Sequence, residues 1–424
     1  GQTSASISAQ NAEEARILIQ FDLNKISSDR STGTIPASGS VNFYLKMFNA
    51  AHADTTPENL TLDVKILSAS WDEGRGLDME NYTDIGKCNW VSASSTTAWA
   101  TTGSDYHALA AVNNFSGSVT FVKGNEDLEL EVTPAVENWL DGTKTNYGFL
   151  LKQTQAAITG SSGSLFTKMF HGRSTEFVMQ KPVIEARWDD SRKDQRGSFI
   201  LSSSVLSSEN NLNTLYLYNR FRGTLTDIVG LSENRLSVAF YTASSDGAPI
   251  GVRAIVTDIT GAATTAVEAG KLIENGNEIT GIYTASFATT SSFSELNDVW
   301  HSGSTEFFTG SFKPASYKLL LEDRTEPYMS KITNLSSLYS TDDKPVFRVF
   351  VRPKRWQPTI YSVASVEIEN TIIEDAYYKV FRIEDNLEVI PFGTGTTNHT
   401  RMSYDVSGNY FELDMEPFES GFNY

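Results

Sequence analysis

Apolar and polar residues alternate along most of this chain. The run Ala15–Leu23 opens the pattern, and Val41–Met47, Leu62–Leu67 and Leu128–Val132 continue it. A period of two is the mark of a strand with one face against a core. The same period returns in Thr214–Phe221, Arg235–Tyr241, Gly281–Phe287 and Glu306–Phe312, and again in Val346–Val351, Ala376–Ile383 and Tyr410–Met415. Clusters of Gly, Ser, Asn and Asp separate these runs, and Tyr404–Tyr410 fits a hairpin turn. Helical spacing is rare. Thr133–Leu140 reads as two turns, with Thr133 as N-cap, Pro134 at the first position and Gly142 as the stop. Thr264–Ile273 is a second helix candidate, on its Ala and Glu content.

This pattern predicts an all-β protein of tandem antiparallel β-sandwiches. A jelly-roll-like first domain would span 1–190, followed by two smaller immunoglobulin-like domains at 197–314 and 319–424. The charged run Asp189–Gly197 reads as a linker after the strand that ends at Trp188. Thr159–Ser164 reads as a loop tip inside the first domain.

Composition narrows the function. At 424 residues the chain is long enough for about three domains, and 40% hydrophobic content can fill real cores. A net charge of −18 repels phosphate backbones and argues against general nucleic-acid binding. The same charge would keep a repeated assembly soluble. The one cysteine, Cys88, allows neither an internal disulfide nor a cysteine-based zinc site, which fits assembly in a reducing cytosol. No apolar run approaches the roughly 18 residues that span a bilayer, so no membrane insertion is expected. The chain starts at Gly1, has no signal-peptide pattern, and ends in Ser420–Tyr424, which resembles the approach to another strand. A processed chain, or part of a longer one, is therefore expected.

No catalytic constellation stands out. The five histidines, His52, His107, His171, His301 and His399, form no zincin pair. Gly160–Gly163 is not a nucleophile elbow. The adjacent carboxylates Asp72/Glu73, Asp189/Asp190 and Asp342/Asp343 would point to opposite faces of a strand. A non-enzymatic protein is expected, with no catalytic residue assigned. Calcium is the one cofactor candidate, at the oxygen-rich turns Asp72–Gly74 and Asn125–Asp127, but neither has EF-hand spacing.

Two surface features suggest binding. Trp71 and Trp139 read as core residues at strand ends. Trp90 and Trp99 lie in a Ser/Thr/Ala-rich loop and, with Tyr106, are candidates for stacking on sugar rings. Arg348, Arg352, Lys354, Arg355 and Trp356 form a basic-aromatic cluster that could meet an acidic partner, or simply guard a strand edge.

The order of features in the first domain resembles the DNRLRE-type β-sandwich, a family related to carbohydrate-binding modules. The matching runs are Arg16–Leu23, Ser70–Glu73, Val136–Gly142, Asn146–Leu151, Phe170–Glu176 and Pro182–Ala186. The family's Arg-Glu pair is split here into Arg173 and Glu176, and the Asn/Gly-rich first segment is short or missing. The resemblance implies a carbohydrate-binding-like fold and names polysaccharide as a candidate ligand. The chain as a whole also resembles virion structural proteins of large tailed bacteriophages. That resemblance implies a multicopy structural protein of a fibre, collar, baseplate or capsid decoration, located in the virion and partnered by other virion proteins. The alternative is an extracellular polysaccharide-binding protein, or an ancillary region of a secreted polysaccharide-degrading enzyme.

Overall fold

A computed structural model describes residues 4–7, 12–13, 15–74, 84, 86–107, 115–154, 165–231, 235–314, 328–354, 356–357, 370–395 and 397–424. The loop tip 159–164, the expected domain start near 319–324, and Arg355 lie outside them. Among the described residues the protein is almost entirely antiparallel β-sheet, with α-helix at Asn24–Ser31 and Thr133–Leu140 only. It divides into two compact units, Gly1–Trp188 and Asp189–Tyr424.

In the first unit a four-stranded sheet runs in the order Ile17–Ile19, Phe149–Gln153, Leu60–Ile66, Ser116–Phe121. A three-stranded sheet runs Val183–Arg187, Asn42–Met47, Leu128–Glu131. Burial alternates strictly along Asn42–Met47 and Leu60–Ile66. Phe43, Leu45, Val64, Ile66 and Phe121 therefore meet in one apolar layer between the sheets. The helix Thr133–Leu140 closes one end and buries Ala135, Val136 and Trp139. Trp139 packs 4.8 Å from Phe149, ring centre to ring centre. Gly142, at φ +78°, takes the left-handed position just past the helix end, as the sequence predicts. Thr133 is not the N-cap. Val132 holds that place, and the Thr133 hydroxyl accepts the Phe43 N–H at 2.9 Å and so ties the helix to the sheet.

The second unit holds a larger sheet in the order Asn213–Tyr218, Asn277–Phe287, Ala266–Glu274, Leu236–Ser245, Leu296–Ser302, Thr305–Phe312. Phe199, Phe240, Phe287, Trp300 and Phe312 form its core. The expected helix at Thr264–Ile273 is instead mostly the strand Ala266–Glu274. There Val267 and Ala269 point inward while Glu268 and Gly270 point out. Pairing on both sides overrides a modest helical preference. Two tight turns, Asp246-Gly247 and Asn275-Gly276, have both residues at positive φ, the type I′ geometry that suits twisted hairpins. A second, smaller lobe of this unit pairs Tyr328–Ile332, Val346–Pro353, Gly408–Glu412 and Ser403–Asp405 in that order. Its core is Phe347, Val349, Val351, Phe411 and Leu413. The hairpin read at Tyr404–Tyr410 is present, with Asp405 paired to Gly408.

Candidate binding surfaces

Trp90, Trp99 and Tyr106 do not make one aromatic platform. Trp99 is only 6% exposed, its N–H bonds the Val91 carbonyl, and its indole N–H donates to the Asn89 carbonyl at 2.9 Å. The loop coils back on itself, so a Ser/Thr-rich stretch carries a buried anchor, and Trp99 offers no exposed face for a ligand to stack on. Trp90 is 41% exposed, but the Arg16 guanidinium sits 4.6 Å from its ring centre. Arg16 also donates to the Gly103 carbonyl at 2.7 Å. A Cβ on Gly103, which sits at φ +88°, would lie 2.7 Å from that guanidinium, so this contact requires glycine. Tyr106 is half-buried beneath the Lys152 ammonium, 5.3 Å away. Trp139 is a core residue as expected. Trp71 is half-buried and anchored by its indole N–H to the Tyr147 carbonyl at 2.9 Å.

The first unit does contain a cleft, of about 1350 Å³. It follows the edge strand Ile17–Ile19 and its continuation to Asn24. Trp71, Trp139, Phe170 and Phe21 supply apolar surface, and Glu73 and Arg173, paired at 3.0 Å, lie among its polar lining. Arg173 stands three positions before Glu176 in sequence. In the fold it pairs with Glu73, one hundred positions earlier.

Cys88 also lines this cleft. Burial, and then the nearby Asp72 charge, push its thiol pKa up. We expect slow modification by a disulfide exchange reagent at neutral pH, slower than for free cysteine and accelerating as pH rises. A rate equal to free cysteine at neutral pH would contradict this.

Of the basic-aromatic cluster, Arg348 is committed internally. It bonds Asp405 at 2.6 Å and lies 4.5 Å over Tyr410. Arg352 stacks over Trp356 at 5.3 Å, and Lys354 is exposed. Arg348 and Arg352 share one face of Val346–Pro353, opposite the core residues Phe347, Val349 and Val351.

The charged run 189–197, which reads as a linker, is packed into the second unit. Arg192 grips Glu274 through two bonds of 2.6 and 2.8 Å, and its backbone N–H donates to Ser403. Arg196 sits between two carboxylates, Asp194 at 2.9 Å and Asp298 at 2.8 Å, and all three are almost fully buried. Asp298 also accepts the Trp300 indole N–H at 2.8 Å. The run thus stitches the larger sheet to the smaller lobe. Arg192 and Arg196 are spent on carboxylates of the fold, while Asp189 and Asp190 stay exposed.

The turn Asn125–Asp127 is likewise occupied internally. Asp127 accepts the Asn49 N–H at 2.7 Å, and Glu126 accepts the Lys123 N–H at 2.7 Å. Among the described residues no group of three or more His, Cys, Asp or Glu is placed to hold a metal ion. No described helix is long and apolar enough to cross a membrane. No protein-family model matches the chain, and no curated protein matches it significantly.

Proposed function

We propose that this chain is a non-enzymatic structural component of a bacteriophage particle, present in many copies and held to its neighbours through sheet surfaces. One observation carries the reading. The hairpin Leu236–Ser245/Ala248–Arg253 runs past the larger sheet, because beyond Tyr241 its first strand pairs only with the second. This hairpin and the loop after it expose aliphatic side chains, with Val252 89% and Ile259 72% accessible and Ile250 and Ile255 beside them in sequence. Covering each such side chain contributes roughly 1.5–3 kcal/mol, so a neighbouring subunit has much to gain there. Many copies would multiply modest contacts into firm assembly.

The test is incorporation. Mass spectrometry of purified particles should find the chain, and Val252→Lys should lower its incorporation at least tenfold while leaving its melting temperature within a few degrees. Absence from purified particles, or wild-type incorporation of the variant, would overturn the reading. A second reading, polysaccharide binding, is favoured by the cleft beside Trp71. It expects retardation of the purified protein in gels containing an acidic polysaccharide, weakened by Trp71→Ala.

A further inference from the structure

Lys168 is buried, at 3% exposure, inside the first sandwich. Its side chain enters the core because Phe166, Lys168 and Phe170 share one face of an extended segment. The backbone there is fixed by two bonds, Ala50 N–H to the Met169 carbonyl and His171 N–H to the Phe48 carbonyl, both 2.9 Å. This sets Asn49 opposite Phe170. The Lys168 ammonium donates to Asn49 Oδ1 at 2.7 Å and to the Glu126 carbonyl at 2.6 Å. The rings of Phe121 and Phe170 lie 4.5 and 4.7 Å from Nζ and keep that side apolar.

Two carboxylates attend the pair. Asp127 holds the Asn49 backbone through its N–H. Glu126 has one oxygen occupied by the Lys123 N–H, while its Oε2 is buried with no hydrogen-bond partner. Gly124, at φ +83°, makes this turn possible, since a Cβ there would lie 2.1 Å from the Pro57 carbonyl oxygen. An amine and a carboxamide are thus in contact beside two aromatic rings, with the Glu126 and Asp127 charges acting on the amine.

We propose that Lys168 and Asn49 form an intramolecular isopeptide bond in the mature protein. The Lys168 ammonium first passes one proton to Glu126. The neutral Nζ then adds to Asn49 Cγ, the atom bonded to the oxygen it already contacts. A second proton moves from Nζ to Nδ2, the Cγ–Nδ2 bond breaks, and ammonia departs, taking the proton held by Glu126 and leaving as ammonium. The sum is one Nζ–Cγ bond gained and one Cγ–Nδ2 bond lost, with no oxidant or cofactor. Burial favours the first step. It lowers the lysine pKa to about 8 despite the opposing charges of Asp127 and Glu126, while the Lys123 N–H holds the Glu126 carboxyl below its usual value, so the transfer runs uphill and the neutral amine is a minor form. Holding the groups in contact supplies the effective concentration that makes an otherwise slow aminolysis feasible. The bond would tie residues 119 positions apart, and it does not depend on the assembly role proposed above.

Tandem mass spectrometry of a tryptic digest of the full chain tests it. The expected product is one branched peptide joining residues 47–65 to residues 153–173, uncut at Lys168 and lighter than the two parts together by one ammonia. Two separate linear peptides, with cleavage after Lys168, would overturn the proposal. Asn49→Ala should abolish the branched species and restore cleavage at Lys168. Glu126→Gln, which keeps the side chain's shape, should cut the branched fraction at least tenfold. Full linkage in Glu126→Gln would overturn the role given to Glu126.

Discussion

Arg196→Met should destabilise the second unit by about 3–5 kcal/mol, because it leaves two buried carboxylates facing each other without a cation. Asp194 and Asp298 both rest on this one guanidinium, and Asp298 is wholly inaccessible. The variant also removes the donor to the Tyr216 carbonyl. Methionine matches much of the arginine stem, so lost volume does not explain a large effect. Asp298→Asn provides the contrast. The Asp194–Arg196–Asp298 set carries a net charge of −1, and the neutral amide removes that excess while its oxygen can still accept from Trp300 and Arg196. We expect a cost below about 1.5 kcal/mol for Asp298→Asn. Denaturant unfolding, followed by fluorescence and by far-ultraviolet circular dichroism, separates the two variants. Equal losses would show that the set acts by packing alone.

The β architecture was legible because alternation is a local property. Asn42–Met47 and Leu60–Ile66 announce which residues face inward, and the Thr133–Leu140 helix is flagged by Pro134 and Gly142. The helix Asn24–Ser31 was not legible. It buries no residue fully; Ile26 packs against the core, and Arg30 ties it to Glu137 through bonds of 2.6 and 2.7 Å across 107 positions. Ala266–Glu274 misleads in the other direction, since composition speaks for helix while neighbours on both sides decide for strand. Trp99 misleads because polar neighbours suggest exposure, whereas the loop's own hydrogen bonds fold the ring inward. The run 189–197 shows the limit of charge as a signal. Density of charge looks like solvent contact until the opposite charges are seen to pair in space. For Lys168 one local signal existed, a lysine at the middle of a period-two set with Phe166 and Phe170. Its partners Asn49 and Glu126 could be found only once the sheets had been assembled.

Asp194 should add to the stability of the second unit as pH falls from about 7.5 to about 5, the reverse of what a salt-bridged carboxylate usually gives, while burial of His301, which lowers its pKa, works the other way. Burial pushes the Asp194 pKa up to about 6, and Arg196 offsets only part of that, while Asp405 and Asp298 add repulsion. Its unfolded value is near the ordinary carboxylate figure, about 3.9. A group whose folded pKa lies above its unfolded pKa binds a proton more tightly when folded. Its contribution is complete below the unfolded value and is lost as pH rises through about 6. A shift of about two units corresponds to at most about 3 kcal/mol, and sharing of Arg196 with Asp298 reduces what one residue contributes to about 1–2 kcal/mol. Asp190 is displaced in the same direction by burial among its neighbours, but its side chain reaches solvent, and water screens it. Asp194→Asn isolates the effect. At about pH 7.5 the variant should match or exceed the wild type, and between about pH 7.5 and 5 it should lack the wild-type gain. A pH dependence of the same shape and size in wild type and Asp194→Asn would mean that Asp194 stays ionised and that the guanidinium, not burial, governs it.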